Sequence, residues 1–253
     1  FGHYIENTLK KNEIGTSLVT YDDVYRTGIQ LKNRVTDGSD PYAPYYRKGS
    51  AASHITVSEI DAINLADVEL VHVTGIPPAL SQSAREATFR LMDRAKENGI
   101  FITFDPNLRP ALWEDEETMC TVINQLAAKA DVVLPGIGEC KILAGTEDKK
   151  EAADFYQKLG VKTVIIKDGS KGAYVQNADE NYNVAGYKVE KVVDTVGAGD
   201  GFAVGVLSGI LEGLDLKTSV KRGNAIGAIQ VMNIGDNEGL PTPEELKAFQ
   251  ESN

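Results

Sequence analysis

Residues 68–76, "VELVHVTGI", followed by "SQSAREATFRLMDRAKENG" (81–99) and "IFITFDPN" (100–107), decide the fold class. The first and third runs are short, apolar and rich in β-branched residues, while the run between them repeats its apolar residues at helical spacing. The alternation continues through "EDEETMCTVINQLAAKA" (114–130), "DVVLPG" (131–136) and "TVIIKDG" (163–169). Apolar strands joined through amphipathic helices predict a parallel sheet with helices on both faces. Right-handed crossovers then bring the loops that follow the strands to one edge, where ligands of open α/β sheets bind. Asp105, Asn107, Arg109, Glu139, Lys167 and Gly169 all fall just after strands in this pattern.

The chain has 253 residues, 42% hydrophobic and 25% charged, which fits one large α/β domain or one domain with a small appendage. Its 37 acidic and 26 basic residues give a net charge of -11, a field that repels polyanions and anionic membrane surfaces. Nucleic acid and membranes are therefore not expected partners. The two cysteines, Cys120 and Cys140, have no short metal-type spacing, and no run reaches the length of a membrane span, so a cytoplasmic protein is expected.

Residues 1–54 read differently. "TSLVTYD" (16–22), "GIQLKNRV" (28–35) and "YAPYYRKGS" (42–50) are strand-like and the last two flank the turn-rich "TDGSDP" (36–41), which predicts an antiparallel flap over about 16–54 and an α/β core over about 55–253. At the other end, Thr242, Pro243 and Glu245 have the spacing of a helix N-cap, first helical residue and capping-box acid.

The stretch "VVDTVGAGDGFAVGVLSGIL" (192–211) carries the chemistry. The preceding "YKVEKVVD" (187–194) alternates like a strand, so residues 194–201 read as a strand-to-helix turn. Gly197, Ala198 and Gly199 offer nearly bare backbone N–H groups at the positive end of the following helix dipole, and Asp200 sits in the same first turn. An anion hole beside a carboxylate base suits phosphoryl transfer to an alcohol. A glycine-rich turn can also be plain packing. It is not the dinucleotide fingerprint, because Phe202 stands where the last glycine belongs, and no Gly-Lys-Ser/Thr makes it a Walker loop. The helix itself is apolar on nearly every face and is expected to be buried.

"DTVGAGDGF" (194–202) resembles the C-terminal signature of the ribokinase-like (PfkB) family of carbohydrate kinases. "DPNLRPALW" (105–113), "KDGSKGAYV" (167–175) and "GNAIGAIQVMNIGDNEGLPTPEE" (223–245) follow in that family's order and spacing. The resemblance implies a three-layer α/β/α fold with a mostly parallel sheet and a β-strand lid, forming a single kinase domain over 1–253. It implies ATP and Mg2+ as cofactors and leaves room for a monovalent cation. Asp200 would be the catalytic base and Gly197, Ala198 and Gly199 the anion hole. Asn107, Lys167, Gly169 and Gly172 would serve the nucleotide phosphates, and Asn224 with the 233–240 loop the adenine side. Where many members have Asn-x-x-Glu near the magnesium, "GIGE" has Gly136, leaving Glu139 to act through water.

"YYRKGSAAS" (45–53) resembles the lid of the members that phosphorylate 2-keto-3-deoxygluconate, which implies that Tyr45, Arg47 and Arg109 hold a sugar acid. The chemistry agrees, since Arg grips a carboxylate bidentately. Alternatively, Arg47 and Lys48 are solvated flap charges and Arg109 is a structural partner for Asp105. Fructokinase or ribokinase activity, or a non-catalytic sugar-binding role, are the rival readings. The family's glycine-rich N-terminal sugar-binding segment, with its key Asn, has no counterpart after Phe1, so part of the pocket is expected to precede this sequence. Lid strands of the family often pair between subunits, which makes a homo-oligomer an expectation.

Other residues invite simpler readings. His72 alternates into a strand and is expected to be a satisfied core residue. The acids of "WEDEETM" (113–119) suit a helix start rather than a metal, Trp113 is expected to pack, and Cys140 reads as a small buried hydrophobe.

Overall fold

A computed structural model describes residues 1–31 and 44–253. Helix α1 (Gly2–Lys11) precedes a two-stranded antiparallel sheet of β1 (Ile29–Gln30) and β2 (Tyr45–Tyr46), in which Ile29 faces Tyr46 and Gln30 faces Tyr45. There follow α2 (Val57–Asp61), β3 (Leu70–Thr74), α3 (Pro77–Leu80), α4 (Gln82–Glu97), β4 (Phe101–Asp105), α5 (Glu116–Ala127) and β5 (Val132–Val133). The second half runs through α6 (Ile137–Leu143), α7 (Lys149–Lys158), β6 (Thr163–Lys167), β7 (Ala173–Gln176), β8 (Asn181–Val184), α8 (Ala198–Leu211), α9 (Leu216–Gln230) and α10 (Pro243–Ser252). Strands β3 to β8 form one six-stranded sheet in sequence order, parallel from β3 to β6 and antiparallel from β6 to β8.

The strand period of two separates the layers. Ile102, Phe104, Val133, Val164 and Ile166 pack on one face with Met92 of α4, Met119 and Leu126 of α5 and Tyr156 of α7. Val132, Leu134, Ile165 and Val175 pack on the other with Phe202 and Val206 of α8 and Val220 of α9. Continuous apolar strands are thus explained by two covered faces. Helices α8 and α9 approach closely because a Cβ on Gly205 would lie 2.5 Å from the Cα of Gly223. The Thr242 cap is formed, with the Glu245 carboxylate accepting from the Thr242 N–H at 2.8 Å.

Three expectations are corrected. "TSLVTYD" forms no strand: the Tyr21 hydroxyl donates to Glu6 Oε2 at 2.6 Å, and Asp22 Oδ1 accepts from the Val24 and Tyr25 N–H groups at 2.8 Å, so turn and helix contacts replace a ladder. "YKVEKVVD" also forms no strand, because the Val193 and Asp194 amides bond the Val231 carbonyl at the end of α9 rather than a sheet edge. Helix α8 is buried along one side only, with Val204 45% and Leu211 53% exposed. The expected turn at 36–41 lies outside the described residues, and the flap strands within them are the short pair β1 and β2.

Gly75 fixes the loop that carries Asn107 and Arg109. Its N–H donates to the Asp105 carbonyl at 3.1 Å, and a Cβ there would lie 2.0 Å from the Pro106 carbonyl oxygen. Gly75→Ala should therefore cost about 1–3 kcal/mol and lower the melting temperature by roughly 2–12 °C. Thermal unfolding checks this, and an unchanged midpoint contradicts the close approach.

Candidate active site

The C-terminal ends of β4 and β6 bring two charges together below the N-terminus of α8. Lys167 Nζ donates to Asp105 Oδ2 at 2.5 Å, with Asp105 only 3% exposed. The expected alternative partner, Arg109, instead donates to its neighbour's carbonyl, Leu108 O, at 2.7 Å. Asn107 sits at φ 39° with its N–H directed to Asp105 Oδ1 at 3.2 Å, so the buried carboxylate also shapes the loop. A Cβ on Gly199 would stand 3.7 Å from Lys167 Nζ, which puts the lysine against the turn "VGAGD".

That turn is built by a left-handed residue. Gly197 is the N-cap of α8 at φ 80°, and a Cβ on it would lie 2.2 Å from the Asp236 carbonyl oxygen of the 233–240 loop. No side chain caps the helix. Its first N–H groups, left over by helix geometry, therefore face a ligand position at the positive end of the dipole. Asp200, in this first turn, keeps access to solvent. Crowding of its carboxyl by protein atoms, and then the negative charge of Asp105, push its pKa above the ordinary aspartate value, while Lys167 and Arg109 pull it back. Arg109 and Asp200 thus lie within electrostatic reach of one another.

Glu139, in the first turn of α6, accepts the Gly136 N–H on Oε2 at 2.7 Å and the Leu108 N–H on Oε1 at 2.8 Å. It staples the Asn107–Arg109 loop to α6. Burial raises its pKa, with the Lys167 charge opposing and the Asp105 charge adding to the shift. Among the described residues no three His, Cys, Asp or Glu side chains gather to hold a metal. One acid whose oxygens keep a free lone pair each fits a cation that retains its waters and takes phosphate ligands, as magnesium does.

A cleft of about 330 Å³ opens beside the turn, lined by Lys167, Gly169, Gly172, Gly199, Phe202 and Asn224 among others. Gly169 (φ 53°) and Gly172 (φ 96°) shape the loop on its rim, and a Cβ on Gly172 would lie 2.1 Å from the Val184 carbonyl oxygen. Asn224 Nδ2 is occupied by the Val184 and Ala185 carbonyls at 3.1 and 3.0 Å, so it ties α9 to the end of β8 as well as lining the cleft. Tyr187, Val189, Val192 and Val231 add an apolar wall. The sequence signal for part of this wall was the alternation of 187–194, read as a strand.

The lid residues stay within the lid and its base. Tyr45 packs against the larger core cluster, and Arg47 donates to Gln30 Oε1 at 2.8 Å and lies 5.2 Å from the Tyr45 ring centre. No described contact joins Arg47 to Arg109 or Asp200. His72 has a partner, as expected, with Nδ1 2.8 Å from Thr103 Oγ1, but it is exposed rather than buried in the core, on β3, the first strand of the sheet formed by the described residues. Trp113 packs in the core, Asp115 caps α5 through the Thr118 N–H at 2.7 Å, and burial pushes the Cys140 thiol up to about 12. Both cysteines are free, and among the described residues no helix is long and apolar enough to cross a membrane.

Comparison with known proteins gives a consistent relationship. Residues 1–243 match the pfkB family of carbohydrate kinases. The chain is 47% identical over 249 residues to a 2-dehydro-3-deoxygluconokinase of Bacillus subtilis (strain 168), covering 98% of this chain and 76% of that protein. A crystal structure of a PfkB protein from Polaromonas sp. JS666 superposes with a TM-score of 0.87 at 43% identity, covering 97% of this chain and 79% of that one. A putative ribokinase II from E. coli, crystallised with ATP and Mg2+, superposes with a TM-score of 0.89 at 25% identity, covering 100% and 80%.

Proposed function

The chain belongs to the pfkB family of carbohydrate kinases, and we propose that it transfers the γ-phosphoryl group of ATP to the terminal hydroxyl of 2-keto-3-deoxygluconate (2-dehydro-3-deoxygluconate), giving the 6-phosphate. The observation that carries the reaction is the uncapped N-terminus of α8 with Asp200 in its first turn. The identity of 47% to a kinase named for that substrate supports the sugar.

On this reading Asp200 accepts the proton of the attacking hydroxyl, and the amides of the Gly197–Gly199 turn stabilise the charge that develops on the transferring group. Lys167, Gly169 and Gly172 serve the nucleotide phosphates from the rim of the cleft, Asn107 supports them from the β4 loop, and Asn224 borders the base side. Magnesium, when bound, would supply charge neutralisation for the phosphates, and Glu139 would hold it through water. Tyr45, Arg47 and Arg109 orient the sugar carboxylate, with the lid moving over the substrate to exclude water. Residues 1–253 belong to one kinase domain, with the lid over about 16–54 and the α/β core over about 55–253, in the cytoplasm where ATP is available. Exposed Ile29 and Tyr46 on the lid strands support pairing of two copies through the lid.

Arg47 is the residue that separates an acid sugar from a neutral one. Arg47→Ala should raise KM for 2-keto-3-deoxygluconate by about 10- to 100-fold, the worth of a lost charge-assisted bond, while KM for fructose stays within about twofold. Equal effects on both sugars would remove Arg47 from carboxylate recognition.

A further inference from the structure

Lys149 breaks a local rule. It is the first residue of α7, where the helix dipole favours acids over cations, and the preceding Asp148 already caps the helix through the Glu151 N–H at 2.9 Å. Its ammonium is turned back onto the loop after β6, where Nζ lies 2.6 Å from Asp168 Oδ2, with the two side chains only 28% and 12% exposed. Asp168 in turn donates its N–H to the Gly172 carbonyl at 2.8 Å, closing the short loop whose Gly169, Ser170 and Gly172 line the cleft. Lys171, the other lysine near this carboxylate, is 3.7 Å away and 77% exposed, so Lys149 is the principal tether. A cation at an unfavourable helix position, half-buried on a loop of the cleft, has a purpose outside its own helix.

We infer that Lys149 is a positioning residue for the nucleotide: through Asp168 it holds the 168–172 loop at the distance from α8 that the phosphates require. The inference rests on the reading of this cleft as the ATP site. Lys149 does not touch the phosphates on this account, so its loss changes how well ATP is held and leaves the sugar side alone.

Steady-state kinetics with ATP and the sugar varied separately test it. Lys149→Met should raise KM for ATP about fivefold or more, in line with loss of a coupled pair, with kcat and KM for the sugar within about twofold. Asp168→Asn should reproduce the effect, the double variant should be no worse than either single one, and Lys149→Arg should restore most of the affinity. A purely structural pair would lower the melting temperature without this split between the two substrates. Unchanged KM for ATP in both Lys149→Met and Asp168→Asn, with the unsubstituted protein turning over ATP normally, overturns the inference alone. Absence of ATP turnover and of direct ATP binding in the unsubstituted protein overturns the reading of the cleft, and the inference with it. Should Lys149→Met fail to fold, Asp168→Asn and Lys149→Arg carry the same comparison.

Discussion

Asp200→Asn is expected to cut kcat by about 10²-fold or more while leaving ATP affinity near its original value, because it removes the proton acceptor and keeps the shape of the helix turn. The elevated pKa of Asp200 adds two further expectations. As pH falls, kcat/KM should decline on an acid limb that lies above the ordinary aspartate value of 3.8, since the base works only when ionised. The stability effect has the opposite sign from the catalytic one. A carboxyl with a folded pKa above its unfolded value holds its proton longer in the folded state, so its charge opposes folding at neutral pH and that opposition fades as pH falls through the folded pKa. Asp200→Asn should therefore melt at the same or a higher temperature at neutral pH. Turnover retained within about threefold would exclude the base role.

Lys167→Met should be the most damaging substitution to the scaffold of the site. It strands the nearly inaccessible Asp105 carboxylate, which Lys167 meets at 2.5 Å, and breaking such a buried pair costs about 3–5 kcal/mol. A fall in melting temperature of roughly 6–20 °C follows for a chain of this size, with loss of activity beyond what unfolding explains. Asp105→Asn placed in the same chain should recover part of the deficit, because it removes the stranded charge. Thermal scans of the single and double variants measure this. A deficit unchanged by Asp105→Asn would mean that the lost lysine stem, rather than the stranded charge, is what matters.

Much of this arrangement could be read before any coordinates. Ile102 and Phe104 face one helical layer and Val132, Leu134 and Ile165 the other, which is why apolar runs spaced by amphipathic helices announced a covered parallel sheet. The Gly197 turn was legible because a left-handed N-cap and an uncapped helix require residues without side chains. Periodicity misled where it recorded partial burial rather than pairing. Tyr187 and Val189 alternate because they line a cleft, and the backbone that follows them bonds to the end of α9 instead of a strand. The Asp105–Lys167 pair joins residues 62 positions apart, and nothing local in either loop announces it. His72 followed the strand period, yet period alone did not reveal that β3 ends the row of strands among the described residues and leaves its side chain exposed.

The most direct test of the account is ADP release by the protein with ATP and magnesium, offered 2-keto-3-deoxygluconate, 2-keto-gluconate, fructose and ribose side by side. The account predicts the highest kcat/KM with 2-keto-3-deoxygluconate and phosphate at its terminal hydroxyl. A preference for fructose or ribose would keep the kinase and contradict the reading of Arg47 and Arg109 as carboxylate ligands, and binding of the sugar acid without ADP release would contradict the role of Asp200 as base.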